Sequence, residues 1–216
     1  RYYSKCIEIQ EQLVNERPSL ADPAYQLVYD YSKLGELLRD LGRNDEGIDK
    51  HNKATVILEQ LTKDHPEVAK YESKLANQYS AIANTLYRLG QTEEAIEQYN
   101  KCIEIGSKLV KEYPEVGKYA AGLASQYSNI AHALNRLGQT EEAIEQCSKN
   151  ILIMEQLVQK YPDDPNYLSN LGFSYFYRGA FFTADGEHLA ASNDGEAIAQ
   201  LKGPGNQLAT RTLNLY

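Results

Sequence analysis

The chain repeats itself every 48 residues, and this period limits its fold more than any other feature. The ten residues Leu89–Gln98, LGQTEEAIEQ, recur unchanged at Leu137–Gln146. Three residue types keep the same step: Pro18, Pro66, Pro114 and Pro162; Tyr31, Tyr79, Tyr127 and Tyr175; and Gly42, Gly90, Gly138 and Gly186. Such a period is typical of stacked supersecondary units, none of which buries its apolar face alone. Function is therefore expected on a surface.

Each period contains two stretches with helical spacing. In residues 67–113 the first stripe is Leu75, Tyr79, Ile82, Ala83 and Leu86, and the second is Ala95, Ile96, Tyr99, Cys102, Ile103 and Leu109. Steps of three and four residues place each stripe on one face of a helix. Gly90 suits a left-handed cap between the two helices, and Pro114 cannot continue the second one. Each period therefore predicts a helical hairpin.

The same frame predicts helices along the whole chain. First helices are expected near residues 21–41, 67–89, 115–137 and 164–184, and second helices near 44–64, 92–112 and 140–160. Residues 1–16 match a second helix that lacks its partner. The predicted domain is an array over residues 1–186, with repeats at about 19–66, 67–114, 115–162 and 163–186 onward, followed by a degenerate cap or tail at 187–216. The fold class is all-α, an α-α superhelix or solenoid of antiparallel hairpins.

Charge and composition exclude two classes of function. A net charge of −8 disfavours a nucleic-acid binder, because such proteins cluster Lys and Arg against phosphate. No run approaches the roughly 18 apolar residues of a membrane span. Cys6, Cys102 and Cys147 form no CxxC pair and are expected to be buried reduced thiols. The chain starts inside a repeat without an initiating Met or a signal pattern, so we expect a fragment or processed chain, with the cytoplasm as default location.

The sequence contains no convergent set of catalytic residues. His51, His65, His132 and His188 have no metal-ligand spacing with one another or with Cys, and each is interpreted as a variant at a repeat position. Adjacent acids at 93–94 and 141–142 lie on first helical turns, where the helix dipole favours them. We therefore predict that the chain is not an enzyme and holds no cofactor or metal.

The repeat resembles the tetratricopeptide repeat, which places bulky, small and aromatic residues at fixed intervals. The matching residues are Tyr79, Ile82, Ala83, Leu86, Gly90, Ala95, Tyr99 and Cys102 in one repeat; Tyr127, Ile130, Ala131, Leu134, Gly138, Ala143, Cys147 and Asn150 in the next; and Tyr31, Leu34, Gly35, Leu38, Gly42, Gly47, His51 and Ala54 in the one before. The common unit of the family is shorter, so both helices here are about two turns longer. In this respect the chain is similar to long-helix arrays of kinesin light chains and large bacterial signalling proteins.

The resemblance implies a ligand groove lined by the first helices, at fixed positions after the bulky landmark. On this chain those positions give Lys33, Glu36, Arg39, Ser80, Asn84, Tyr87, Arg88, Ser128, Asn129, His132, Asn135 and Arg136, and the aromatic run near the end adds Phe173, Phe176 and Tyr177. The Asn and Ser side chains suit an extended peptide backbone, and Arg88 and Arg136 suit a carboxylate. Three alternatives stay open. In the first, Arg88 and Arg136 form ion pairs with Glu residues of their own hairpins. In the second, the Asn side chains of the groove are simply exposed to solvent. In the third, the aromatic run is covered by the tail or by another domain.

Three functional hypotheses follow from the sequence. The first is a non-catalytic interaction module that binds a peptide or a partner protein along the groove. The second is a structural role, in which the ends of the array associate with identical chains or a larger assembly, because the orphan helix at 1–16 carries an apolar stripe. The third is a sensor or adaptor arm of a larger effector enzyme. All three predict protein partners, no nucleic acid and no membrane insertion.

Overall fold

The computed structural model describes residues 2–17, 20–184 and 194. The described chain is built of α-helices in the order α1 (Tyr2–Glu16), α2 (Ala21–Asp40), α3 (Asn44–Asp64), α4 (Ala69–Leu89), α5 (Thr92–Glu112), α6 (Gly117–Arg136), α7 (Thr140–Lys160) and α8 (Pro165–Ala184). Every boundary lies within two residues of the predicted one. The all-α repeat fold is thus confirmed, and the predicted tail at 187–216 lies outside the described residues except for Asp194.

Glycine ends the first helices of the hairpins. Gly42, Gly90 and Gly138 have φ of 77°, 84° and 77°, a left-handed conformation that glycine adopts without strain. After Gly42 the amide of Arg43 turns back and donates to the carbonyl of Leu38 at 2.8 Å, which satisfies a carbonyl at the helix end. Because only two or three residues link the two helices, the helices of each hairpin are antiparallel neighbours.

The chain forms two compact units, one up to Leu109 and one from Val110 onward. In unit 1, α1 contacts α2, α2 contacts α3 and α3 contacts α4, and α2 also contacts α4. In unit 2, α7 packs against both α6 and α8, and α6 contacts α8. In each unit two first helices therefore lie side by side, with a second helix packed behind them.

Each unit has its own apolar core. In unit 1 one core cluster is formed by Ile7, Ala24, Leu27, Val28, Tyr31, Ala54, Leu58, Leu61 and Leu75. In unit 2 a core cluster is formed by Ala124, Ile151, Met154, Leu157 and Leu171. Most of these residues occupy the repeat positions of the predicted apolar stripes, because three- and four-residue steps keep them on the face that meets the neighbouring helix.

Three of the four landmark tyrosines join a first helix to the second helix before it. Tyr79 donates from its hydroxyl to Glu59 at 2.7 Å, and Tyr31 and Tyr175 make the same bond to the glutamates 20 residues earlier, Glu11 and Glu155. Burial raises the pKa of all three tyrosines, so they remain neutral donors. At these three positions a structural bond explains the repeated Tyr.

The structure corrects the prediction for Cys6. Cys102 and Cys147 are buried, but Cys6 is exposed. Cys102 donates from its thiol to the carbonyl of Ala76, 26 residues earlier on the preceding helix, at 3.2 Å. Cys6 occupies the same repeat position in α1, 96 residues before Cys102.

A buried ion pair explains the departure from the repeat at residue 178. Arg178 lies where the other repeats carry Leu34, Ile82 and Ile130. Its guanidinium donates to both carboxylate oxygens of Asp194, at 3.0 and 2.6 Å, and to the hydroxyl of Ser148 at 3.1 Å. Asp194 is 3% exposed, so the carboxylate of the pair is buried.

Candidate functional site

Unit 1 contains a cavity of about 200 Å³ between α2 and α4, with α3 behind it. We call it the unit 1 cavity. It is lined by Tyr25, Val28, Tyr29, Ser32, Lys33, Glu36, His51, Lys74, Asn77, Gln78 and Ala81. The α2 residues recur at three- and four-residue steps, so one helix face supplies them. Two of the predicted groove residues, Lys33 and Glu36, line this cavity.

A buried hydrogen-bond network lies behind the unit 1 cavity. The Oε1 atom of Gln78 is 2.9 Å from Nδ1 of His51 and accepts from the hydroxyl of Ser32 at 3.1 Å. Nδ1 therefore carries the proton, and Nε2 of His51 is buried without a partner among the described residues. Burial lowers the pKa of His51, although its bond to Gln78 opposes the effect. The histidine is thus neutral and positions Gln78.

Glycine at position 35 makes room for this histidine. A Cβ atom on Gly35 would lie 2.7 Å from Nε2 of His51 and 3.1 Å from the carbonyl oxygen of Gly47. The backbones of α2 and α3 consequently approach one another where both carry glycine. The close approach holds the imidazole at the back of the cavity.

The rim of the unit 1 cavity is charged. Lys33 and Glu36 form an ion pair of 2.8 Å, one helical turn apart. Lys74 and Asn77 are exposed on α4, and none of the ion pairs between described residues involves Lys74. Its ammonium group and the amide of Asn77 are available to a ligand that supplies acceptor oxygens.

Unit 2 contains a second cavity, of about 170 Å³, between α6 and α8. We call it the unit 2 cavity. It is lined by Ser125, Ser128, Asn129, Asn150, Met154, Asn170, Phe173, Ser174 and Tyr177. Four of these were predicted groove residues, namely Ser128, Asn129, Phe173 and Tyr177. None of the nine carries a formal charge at neutral pH, so this cavity differs sharply from the one in unit 1.

The aromatic wall of the unit 2 cavity is braced from α6. The ring of Tyr177 meets the imidazole of His132 edge to face, with centroids 4.3 Å apart, and Phe181 lies 5.9 Å from the same imidazole. Phe176 packs against Tyr177 at 5.4 Å. Burial lowers the pKa of His132, so its imidazole is neutral. Phe173 remains 40% exposed at the mouth of the cavity.

The two cavities occupy equivalent places in the repeat. Adding 96 residues, two periods, to the α2 and α4 residues of the unit 1 cavity gives most of the residues lining the unit 2 cavity. The equivalent pairs are Tyr29 and Ser125, Ser32 and Ser128, Lys33 and Asn129, Lys74 and Asn170, Asn77 and Phe173, Gln78 and Ser174, and Ala81 and Tyr177. One geometry is therefore used twice, with a charged lining in unit 1 and a neutral, partly aromatic lining in unit 2.

The other predicted groove residues lie on the first helices but do not line either cavity. They are Arg39, Ser80, Asn84, Tyr87, Arg88, His132, Asn135, Arg136 and Phe176. Asn84 accepts a hydrogen bond from the hydroxyl of Tyr99 at 2.6 Å, so its oxygen has a structural role. Arg39 pairs with Asp40 at 2.9 Å, whereas Arg88 is exposed and forms no ion pair with any described residue.

The prediction missed most of the part of each cavity that precedes the tyrosine landmark. The missed residues are Lys74, Asn77 and Gln78 before Tyr79, and Asn170 and Ser174 before Tyr175. The signal for them was present, because the stripe 74, 77, 81, 84, 88 keeps helical spacing. The extra turns that make each first helix longer than in the common repeat also extend the face that lines the groove.

No described helix is both long enough and apolar enough to cross a membrane. The described His, Cys, Asp and Glu side chains form no group of three arranged to hold a metal ion.

Comparison with protein families identifies the repeat. Sequence profiles described as Tetratricopeptide repeat match residues 29–106 and 123–166, which together make up more than half of the chain. No protein of curated function matches the sequence.

Solved structures share the fold at low sequence identity. BtubC (BKLC) from P. vanneervenii is 18% identical with a TM-score of 0.69, and the match covers 99% of this chain and 80% of that one. RapI in its apo form is 16% identical with a TM-score of 0.63, over 95% of this chain and 50% of RapI. A Podosopora anserina protein of kinesin light chain type, with nearly identical TPR-like repeats, is 18% identical with a TM-score of 0.54, over 86% and 83%.

Proposed function

Because this chain belongs to the tetratricopeptide repeat family, we propose that it is a non-catalytic protein-interaction module that binds a peptide or partner protein along its first helices. The observation that carries the proposal is the pair of equivalent cavities between neighbouring first helices, one in each unit. A preformed groove lowers the ordering cost of binding, because the protein side is already fixed.

The side chains of the two cavities favour an extended segment of another protein. In unit 1, Lys74 and Asn77 offer donors to backbone carbonyls or a carboxylate. In unit 2, Asn129, Asn170 and the exposed ring of Phe173 offer amides and an apolar surface. The remaining predicted residues on the same helices, Arg88 and Asn135 among them, lengthen this surface beyond the cavities.

Peptide selection against the purified chain tests the proposal. Peptides from a displayed random library are selected, and the affinity of the best binder is measured by titration calorimetry. We expect the double variant Lys74→Ala/Asn77→Ala to weaken binding about tenfold or more, because charged and amide hydrogen bonds each contribute roughly 1 to 3 kcal/mol. The matched control is Lys63→Ala, an exposed lysine on α3 away from the cavity. Equal affinity of the wild type and the double variant excludes the unit 1 cavity from binding.

Exposed apolar surface on α1 favours a second function, association with another copy of the chain. Ile9 is 67% exposed and Cys6 is exposed, whereas Ile7 is buried against unit 1. Exposed apolar side chains on α1 suit a contact with another copy of the chain. Light scattering over a concentration series distinguishes the outcomes. Self-association that is abolished by Ile9→Asp supports this role, and a monomer at all concentrations rejects it.

A further inference from the structure

The unit 2 cavity contains a buried acceptor that no described residue satisfies. Asn150 on α7 is 4% exposed and lines the cavity. Its Nδ2 donates to the carbonyl of Ala124 on α6 at 2.6 Å, which fixes the orientation of the amide. Its Oδ1 has no hydrogen-bond partner among the residues that the structure describes. A buried amide oxygen without a partner costs free energy, so a ligand donor that reaches it is favoured.

The repeat shows that this oxygen is not needed for the fold. Asn150 is equivalent to Cys102 and Ala54. Cys102 makes the corresponding bond, from its thiol to the carbonyl of Ala76, with no extra acceptor. Ala54 has no side-chain donor or acceptor and is fully buried. Asparagine at this position therefore adds an acceptor beside the cavity while it keeps the bond to the preceding helix.

Two of the hydroxyl donors around the cavity are already used. Ser174 donates to the carbonyl of Asn170 at 2.8 Å, and Ser125 donates to that of Ala121 at 3.0 Å. The amide of Asn129 donates to Gln126 at 3.3 Å. The lone pairs of the two serine oxygens remain and, together with Oδ1 of Asn150, favour an occupant that brings a donor.

The shape and charge of the cavity narrow the occupant further. A cavity of about 150 Å³ holds a benzene ring, so about 170 Å³ suits one aromatic ring with a small substituent. Phe173 and Tyr177 supply aromatic walls for edge or offset contacts. No carboxylate lines the cavity, which disfavours a buried ammonium group. A phenyl ring lacks the donor, and a serine side chain is too small.

We propose that the unit 2 cavity is an anchor site for a tyrosine side chain of the partner, with the phenol hydroxyl donating to Oδ1 of Asn150. The inference rests on the proposed function, because the tyrosine belongs to a bound protein or peptide. It specifies tyrosine as the partner residue that the groove selects and Oδ1 of Asn150 as the atom that recognises it. In this respect the site distinguishes tyrosine from phenylalanine by a single hydrogen bond.

The single methionine of the chain provides a reporter inside the cavity. Met154 lines the site and is the only Met in the sequence, so ε-¹³C-methionine labelling of the full chain gives one methyl resonance. The probes are p-cresol, a phenol, and toluene, the same ring without the hydroxyl. We expect both to shift the methyl signal, with p-cresol bound roughly two- to twelvefold more tightly, the range for one neutral hydrogen bond.

Two variants copied from the other repeats complete the test. Asn150→Cys, the residue of the equivalent position in α5, keeps a donor for Ala124 and removes the acceptor, so the two probes should bind equally. If that variant does not fold, Asn150→Ala copies Ala54. Phe173→Asn copies Asn77 and should weaken both probes. No methyl shift, equal binding by the wild type, or an unchanged preference in the Asn150 variant overturns the inference.

The peptide-binding measurement tests the proposed function independently of the tyrosine site. A selected peptide that loses affinity on Lys74→Ala/Asn77→Ala, but shows no preference for tyrosine over phenylalanine that depends on Asn150, leaves the interaction module standing and rejects the tyrosine site. A phenol preference at Met154 without any groove-dependent peptide rejects the interaction module, and the tyrosine anchor falls with it.

Discussion

Removing the carboxylate of Asp194 should destabilise unit 2 strongly. The side chains of Arg178 and Asp194 are 21% and 5% exposed, and the guanidinium makes two hydrogen bonds to the carboxylate. Asp194→Ala leaves the positive charge of Arg178 in a largely apolar position with only Ser148 to bind it. Breaking a buried pair on one side costs about 3 to 5 kcal/mol, and the partial exposure of Arg178 favours the lower end.

Urea unfolding followed by circular dichroism at 222 nm measures this loss. With a denaturant slope of about 1 to 3 kcal/mol per molar for a small domain, a loss of about 3 kcal/mol moves the midpoint of the unit 2 transition down by about 1 to 3 M. Tyrosine fluorescence does not separate the units as clearly, because the 17 tyrosines are spread over the sequence.

The repeat supplies the control for this prediction. Arg178→Ile restores the residue found at the equivalent positions Ile82 and Ile130. We expect Arg178→Ile/Asp194→Ala to be more stable than Asp194→Ala alone by about 2 kcal/mol or more, because no buried charge is left unpaired. The reasoning is refuted if Asp194→Ala unfolds at the wild-type midpoint, or if the two substitutions are simply additive.

Three other features give measurable effects. Gly35→Ala should lower the free energy of unfolding of unit 1 by about 1 to 2 kcal/mol in urea titrations, because overpacking against His51 outweighs the gain in helix propensity of about 1 kcal/mol; a raised midpoint contradicts this. Burial lowers the pKa of His51 and of His132 in the folded chain, so the unfolded chain binds a proton at each histidine at a higher pH than the folded chain does. The free energy of unfolding should therefore fall as the pH drops below about 6.5. His51→Gln should flatten that slope, and a slope identical to wild type rejects the assignment. Ellman's reagent should react at once only with the exposed Cys6, since burial raises the pKa of the other two thiols to about 12; three fast thiols contradict the burial.

The helices were predictable because glycine and proline punctuate the sequence. Gly42, Gly90 and Gly138 take the left-handed conformation where the pattern predicted caps. The apolar stripes then determine which face of each helix is buried. Local chemistry and hydrophobic spacing agree at every boundary, which is why the predicted limits are close to the observed ones.

The cavities were less predictable, because they depend on which side chains two helices bring together. Phe173 and Lys33 were expected in the groove from the positions that the family resemblance implies. His51 was interpreted as a variant at a repeat position, and only the packing shows that it fixes Gln78 behind the unit 1 cavity. Asn150 likewise matches a position held by Ala or Cys, and its unpaired oxygen becomes visible only with the geometry of α6.

Site-specific photocrosslinking tests the central claim, that the first helices carry the binding surface. A photoreactive phenylalanine analogue replaces Phe173 on α8 in one variant and Leu152 on α7 in the other, an apolar position that is 58% exposed against 40% for Phe173. A selected, biotin-labelled peptide is then irradiated with each variant. The account predicts crosslinking from position 173 and none from position 152. Crosslinking from position 152 alone, or equal yields from both, contradicts it.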